Sequence, residues 1–298
     1  MDKSLSRKQF TLLAAMAQAD GPLTQRELSA LVGHSLSSVN RVMKELCELG
    51  YADDRSITTA GRRILAPYRA RKAVILASDV VPRLLPITLS TPAPLIRVQG
   101  VPIIEPLLEA VLAAGIEDIT IVRGYLAEQF DQLLYKYPMV KFLENPRYNE
   151  EGSIASALCV GDGLSNAYVL DGRLLLRNPG VIQKYHYGSA FLGVPMARCD
   201  RRCFTVREDC IHDLQTGGLD CFRHVGVSYW SDADGKQLAR HLRQAYDLPG
   251  GHELDWEQVP LKIFKKDYKV GVCACSQEDI VEIDSFRELK AIDKTYDV

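Results

Sequence analysis

The sequence predicts an α/β fold: a mostly parallel sheet with helices on both faces, preceded by a small α+β N-terminal domain. Three observations predict it. From residue 73 onward, short apolar runs alternate with segments of helical spacing, the pattern of strand–helix–strand units whose strands are buried on both faces. Before that point, apolar residues recur mainly at helical spacing, punctuated by capping and breaker residues. Charge divides at the same place: residues 1–72 hold 12 Lys/Arg against 7 Asp/Glu, and the remainder 24 against 31.

The first helix is predicted over Ser6–Gln18, with Phe10, Leu13, Ala14, Met16 and Ala17 on its apolar side and Asp20-Gly21-Pro22 ending it. Thr24 followed three positions later by Glu27 is a capping-box pattern, so a second helix runs Gln25–Val32 and stops at Gly33. A third is expected from Leu36 to Leu49, where Val39, Val42, Met43, Leu46 and Leu49 share one face and Gly50 ends it. Its opposite face carries Ser37, Ser38, Asn40, Arg41 and Lys44, short polar and basic side chains near the N-terminal end. A helix that enters the major groove uses such residues on base edges and phosphates. Tyr51–Thr58 reads as a short β-wing turning at Asp53-Asp54-Arg55, and Thr59–Leu65 as a fourth helix. The stretch LTQRELSALVGHSLSSVNRVMKELCELGY with ITTAGRRIL resembles the winged helix-turn-helix, MarR-like family of bacterial regulators. The resemblance implies a domain over residues 1–68 that binds DNA, as a homodimer on paired half-sites. Asp53 and Asp54 at the wing tip run against that expectation, since carboxylates there repel phosphate.

A basic connector, Pro67–Lys72, leads to the apolar run Ala73–Ala77, the first buried strand. A helix is expected over Pro106–Ala114, a strand over Asp118–Val122, a helix over Ala127–Tyr137 and a strand over Val140–Leu143. Ser153–Leu164 reads as helix and Ala167–Asp171 as strand. Beyond residue 180 strands are expected at Cys203–Val206, Gly226–Trp230 and Lys269–Cys275, with a helix over Asp234–Tyr246. Ligands of such sheets bind outside the carboxyl ends of the strands.

The segment KAVILASDVVPRLLPITLSTPAPLIRVQGVPIIEPLLEAVLAAGIEDITIVRGYLAEQF, with NAYVLDGRLLL, GVSYW and EIDSFRELKAID, resembles sugar-phosphate nucleotidyltransferases, and bacterial phosphocholine cytidylyltransferases most of all. The resemblance implies a Rossmann-like, GT-A-like nucleotidyltransferase domain over residues 72–298, with a nucleotide or a choline-type metabolite as ligand. By position, Leu76, Ala77, Arg83, Asp171 and Ser156 correspond to nucleotide-binding residues, Arg83 being the sole catalytic candidate. Asp284 corresponds to a metal ligand, and Mg²⁺ is the implied cofactor if the chain is active.

Transfer of a nucleotidyl group brings two anions together, so the site must supply N–H donors, cations and usually Mg²⁺. Against the family pattern L-A-A-G-x-G-x-R-L, this chain has Leu76-Ala77-Ser78-Asp79-Val80-Val81-Pro82-Arg83-Leu84, with neither glycine. The lysine of T-P-K-x-L is Ala93, and the second acid of the strand-end acidic-x-Asp pattern is Arg173 in Asp171-Gly172-Arg173. The asparagine pair before the next helix is Gly152-Ser153. Each lost charge-handling group is ordinarily worth about 10²–10³ in rate, and such effects are not additive. The sequence therefore predicts a ligand-sensing regulator with a degenerate transferase domain. The alternative is an active Mg²⁺-dependent cytidylyltransferase with an autoregulatory DNA-binding domain, in which Arg83 and Arg173 replace lysine and metal. Tyr185, Tyr187, Tyr229, Trp230 and Trp256 are candidate cation–π partners for a quaternary ammonium.

No apolar run approaches the ~20 residues that span a membrane, and MDKSLSRKQF lacks a signal-peptide core. A cytoplasmic location is expected, with the eight cysteines as reduced thiols. Cys199, Cys203, Cys210, Cys221 and the pair Cys273/Cys275 match no paired C-x-x-C zinc spacing.

Overall fold

A computed structural model describes residues 4–297. The chain forms two compact units. One comprises the chain up to Arg69 together with Tyr185–Tyr187; the other comprises Ala70–Lys184 and the chain from Gly188 on.

In the first unit, helix α1 (Arg7–Gln18) starts at Ser6, and α2 (Gln25–Val32) at Thr24. Both starts are capping boxes, with Gln9 and Glu27 returning the bond to the cap backbone. Gly33 closes α2 in the left-handed region at φ +66°, where a residue without Cβ is unstrained. Helix α3 (Leu36–Glu48) buries Val39, Val42, Met43 and Leu46 against Leu12, Leu13 and Leu28. Leu49, expected on that face, is the exposed C-cap instead. Helix α4 (Thr59–Leu65) is capped by Thr58. The wing is smaller than expected: a single antiparallel bridge, Ala52 to Ile57. Its turn is tied by the Asp53 carboxylate, which accepts from Ser56 N at 2.7 Å and from the Ser56 hydroxyl at 2.8 Å. Tyr185 and Tyr187 belong to this unit, with Tyr187 stacked on Tyr68 and both rings against Phe10.

The second unit opens with strand β1 (Lys72–Ala77), buried on both faces as its composition requires. A run of 3₁₀ turns leads to a two-residue ribbon, β2 (Arg97–Val98) with β3 (Val101–Pro102), and to helix α5 (Ile104–Ala113). Strand β4 (Asp118–Arg123) follows. The segment expected as an α-helix over Ala127–Tyr137 is a 3₁₀ helix over Ala127–Tyr135. Then come β5 (Lys141–Glu144), α6 (Ser153–Val160), β6 (Ala167–Asp171) and β7 (Leu174–Leu176). The short expected strands after residue 180 are parts of one long hairpin, β8 (Ala190–Arg207) and β9 (Cys210–Trp230). Helix α7 (Asp232–Tyr246), β10 (Gly271–Ala274), β11 (Ile280–Glu282) and α8 (Phe286–Ile292) complete the unit.

The seven-stranded sheet runs β10-β8-β9-β6-β1-β4-β5. β6, β1, β4 and β5 are mutually parallel, and β9 joins antiparallel to β6. One apolar layer packs α5 against the sheet through Leu107, Leu108 and Val111, and the other packs α7 through Leu238, Ala239 and Leu242. The register sets Leu76 of β1 opposite Asp171 of β6, so the two strands reach their carboxyl ends together. β11 pairs antiparallel with β7 and brings Glu282 opposite Leu174, just past that same edge.

Candidate functional site: an arginine between two aspartates

A cleft of about 590 Å³ opens at these carboxyl ends. β1 contributes Leu76 and the following loop Asp79 and Arg83; β6 and its turn contribute Asp171 and Arg173; the segment after β11 contributes Asp284. Four of the six positions that the family resemblance singled out, Leu76, Arg83, Asp171 and Asp284, therefore face one space. The other two lie behind it. Ala77 is buried, touching the position where Gly172 would carry a Cβ. Ser156 is buried on α6, its hydroxyl 2.6 Å from that of Ser78 and 3.0 Å from the Asn145 amide that donates to it. Ala93, at the lysine position, is buried.

Arg173 is the centre of the cleft. Its guanidinium binds Asp171 through two contacts, at 2.5 and 3.0 Å, and reaches Asp284 at 3.3 Å. Its own backbone N–H also donates to Asp171 at 2.9 Å, which fixes the turn after β6. On the far side of Asp284, Arg201 reaches it at 3.4 Å, contacts Glu282 at 3.6 Å and pairs with Glu288. The result is an alternating chain of carboxylates and guanidiniums across the cleft. Burial by itself would raise the Asp171 carboxyl, but the Arg173 charge and its hydrogen bonds outweigh that and hold it below the usual carboxylate range. Burial raises Asp284, with Arg173 and Arg201 opposing. Glu282, with Asp284 beside it, is pushed up to about 7 by burial and that like charge.

Asp79 opens into the cleft solvent but is walled by protein. That desolvation, with the Asp171 charge, raises its carboxyl, while Arg173 and the Ser78 hydroxyl at 3.2 Å pull it back. The side of the cleft formed by β8, β9 and the loop at 255–257 was not legible in the sequence. It brings Asp200, Arg201 and Arg202 from β8, His224 from β9, and Asp255, Trp256 and Glu257. Arg202 pairs with Asp255 at 3.0 Å. His224 Nε2 lies 3.5 Å from Glu257 Oε1, and neither that nitrogen nor Glu257 Oε2 has a hydrogen-bond partner. Desolvation pushes Glu257 up to about 7 and His224 down to about 3, so the pair faces across this gap in its neutral forms near pH 6. Glu282 did have a signal, as the first acid of Glu282-Ile283-Asp284; Arg201 and Arg202 had none beyond their charge.

Gly152-Ser153, where the family pattern has asparagines, has a packing reason. A Cβ at Gly152 would lie 2.3 Å from the Leu254 carbonyl oxygen, and Ser153 Oγ accepts from Trp256 N at 3.0 Å. The start of α6 is thus closed onto the loop that carries Asp255 and Trp256. Of the aromatic candidates, Trp256 lines the cleft, whereas Tyr229 and Trp230 are core side chains of β9.

In the first unit, Ser37, Asn40, Arg41 and Lys44 are exposed and Ser38 half-buried, all on the side of α3 away from its core. Arg41 pairs with Glu45 at 3.1 Å, and Lys44 sits 4.0 Å from Glu48.

A sheet of this order with a charged cleft at the carboxyl ends of β1 and β6 defines a nucleotidyltransferase-type domain, joined here to a winged-helix unit. Family models agree: residues 3–63 match the MarR family and residues 72–182 the nucleotidyl transferase family. The chain is 32% identical over 235 residues to a 2-aminoethylphosphonate cytidylyltransferase of Lancefieldella rimae, covering 75% of this chain and 92% of that one. It is 30% identical to a choline-phosphate cytidylyltransferase of Streptococcus pneumoniae, covering 75% and 97%. The solved structure of the CTP:phosphocholine cytidylyltransferase from Streptococcus pneumoniae superposes with a TM-score of 0.70 at 28% identity, over 76% of this chain and 99% of that one. An inositol-1-phosphate CTP transferase from T. maritima shares the fold, with a TM-score of 0.59 at 17% identity. The chain belongs to the cytidylyltransferase family of nucleotidyltransferases, carrying a MarR-family winged-helix domain at its N-terminal side.

Proposed function

We propose that this chain is a ligand-sensing DNA-binding regulator whose transferase domain binds a metabolite without efficient turnover. The observation that carries the reading is the guanidinium of Arg173 between Asp171 and Asp284. A divalent cation in that place needs open carboxylate oxygens; here a guanidinium already engages both acids. The donor set does not suit Mg²⁺, and no catalytic step is assigned to it. Neither loop glycine nor lysine is present to compensate, and Asp79 stands where a triphosphate would approach.

The ligand class follows from the lining. Seven carboxyl side chains (Asp79, Asp171, Asp200, Asp255, Glu257, Glu282, Asp284) face the cleft against four arginines. Even with Glu257 and Glu282 partly protonated near pH 7, five other carboxyl groups face the four arginines, a lining that disfavours a polyanion and leaves acceptors for a ligand amine, and Trp256 offers an aromatic face to it. The relatives' substrates, 2-aminoethylphosphonate and choline phosphate, both join a cationic nitrogen to a phosphorus oxyanion. They are the ligands proposed here ahead of CTP. The exposed polar and basic face of α3, Ser37 to Lys44, is the proposed DNA-reading surface, used as a homodimer on two half-sites.

The test is an incubation with CTP, Mg²⁺ and either substrate, with pyrophosphate measured, beside a thermal-shift titration of each compound. Saturable stabilisation by an amine-bearing ligand without pyrophosphate is the expected result. Robust pyrophosphate release would overturn it in favour of the second reading, an active cytidylyltransferase with an autoregulatory DNA-binding unit. That reading is favoured by the family membership and by the retained Arg83 and Asp284 at the cleft; it requires Arg83 and Arg173 to supply the positive charge.

A further inference from the structure

The β8–β9 hairpin turns a sharp corner, and three thiols meet inside it. Cys199 and Cys203 lie four residues apart on β8, a separation of about 13 Å along a straight strand. Here their sulfurs and that of Cys221 on β9 all lie within 4.8 Å of one another. The bend does this. The pairing is irregular between Cys199 and Arg202, and Cys203 bridges both Gln215 and Arg223, so the outer half of the hairpin folds back on the inner half. On β9 the corner passes through left-handed backbone at Gly217 (φ +77°) and Asp220 (φ +44°). Gly218 leaves the sulfurs room, since a Cβ there would sit 3.1 Å from Cys203 Sγ and 3.3 Å from Cys221 Sγ. All three cysteines are buried and unbridged, and the thioether of Met196 packs against them.

We propose that this corner is a binding site for one soft, thiophilic d¹⁰ metal ion, Cu⁺ matching it best. A metal bonded to three thiolates at about 2.3 Å holds its sulfurs about 4 Å apart, so the cluster needs only a small contraction to close on an ion. Three sulfurs beside a thioether, with no nitrogen or oxygen donor among them, select a soft ion over Mg²⁺ or Ca²⁺. The thiols must release their protons on binding, so affinity rises with pH. Asp200, Arg201 and Arg202, which line the cleft, lie on β8 between two of the ligands, so an ion at the corner fixes the stretch of strand that presents them. The site stands independently of the regulator reading.

The experiment uses the fully reduced full-length chain and Cu⁺ presented on a coloured chelator of known affinity. The wild type and Cys273→Ser are expected to withdraw one equivalent per chain, and Cys203→Ser none. The proposal is overturned if the wild type leaves the copper on the chelator, if Cys203→Ser withdraws as much as the wild type, or if Cys273→Ser loses the equivalent. Should Cys203→Ser fail to fold, X-ray absorption of the loaded wild type decides alone: three sulfur neighbours at about 2.3 Å support the site, and two or fewer refute it.

Discussion

At the residue scale, the alternation of Arg173 and Arg201 with Asp171, Glu282 and Asp284 makes the cleft a charge-balanced network in which each member depends on its neighbours. Arg173→Ala leaves Asp171 and Asp284 facing one another without a counter-charge. Losing one partner of a well-buried pair costs about 3–5 kcal/mol; these side chains retain about a quarter of their exposure, so water recovers part of it. The expected loss is about 1–3 kcal/mol in urea unfolding at pH 7, shrinking at low pH as the carboxylates protonate. A loss that did not diminish in acid would show that the arginine acts by packing alone. Glu257 gives a second expectation. Its folded carboxyl sits at about 7, above its ordinary value of 4.5, so the folded state holds the proton more tightly than the unfolded one. The stability from that proton is complete below the unfolded value and is lost as pH rises through the folded one. Glu257→Gln should therefore gain on the wild type between pH 5 and 8, by on the order of 3 kcal/mol at the top of the range. Thermal melts of the two proteins at several pH values check this; parallel curves would place Glu257 in an ionised, compensated state.

At the scale of elements, what could be read from the sequence and what could not divide by mechanism. The helices of the first unit were legible because their signals are local: Thr24 with Glu27, Gly33 after Val32, and the spacing of Val39 to Leu46. Strands β1, β4 and β6 were legible as apolar runs. The β8–β9 hairpin was legible only in fragments. Its alternation is broken by Gly193, Pro195, Gly217 and Gly218, and its turn uses Glu208 and Asp209 at positive φ (+49° and +62°) rather than an Asn-Gly pair. Everything the hairpin brings to the cleft, Arg201, Arg202 and His224 above all, was invisible for the same reason. The side of the cleft built by β1, β6 and the segment after β11 came from motif positions in sequence, the side built by β8 and β9 only from topology. Helix α3 carries the prediction that belongs at this scale. Arg41 and Lys44 are exposed and tied only to glutamates one turn away, pairs worth a few tenths of a kcal/mol. They are free to exchange those partners for phosphates. Arg41→Ala with Lys44→Ala should leave the melting temperature within about 2 °C, as surface substitutions do, and lower the salt slope of DNA binding by about 2, one for each phosphate that is no longer neutralised. An unchanged slope, measured by fluorescence anisotropy between 50 and 200 mM salt, would move the DNA surface elsewhere.

For the whole molecule, the question is whether a nucleotidyltransferase-type domain can serve as a sensor by binding its ligand without turning it over. In the proposed function the two are separable. On that reading, recognition rests on the shape of the cleft, on Trp256 and on the carboxylates that line it. Reaction rests on stabilising charge that develops only in the transition state, and Asp79, Ala93 and Arg173 stand at the positions where the family pattern has a loop glycine, a lysine and a metal acid. A protein that binds without turning over has one thermodynamic obligation if it is a regulator: the coupling between its two ligands is reciprocal. If 2-aminoethylphosphonate changes the affinity for a DNA site by some factor, that DNA must change the affinity for 2-aminoethylphosphonate by the same factor, typically 5–150-fold for couplings of about 1–3 kcal/mol. Both arms can be measured on one preparation, DNA affinity by anisotropy with and without saturating ligand, and ligand affinity by calorimetry with and without saturating DNA. Equal, non-unit factors are the expected outcome. Two factors of one, with both ligands bound tightly, would mean that the winged helix and the cleft share a chain but not a function.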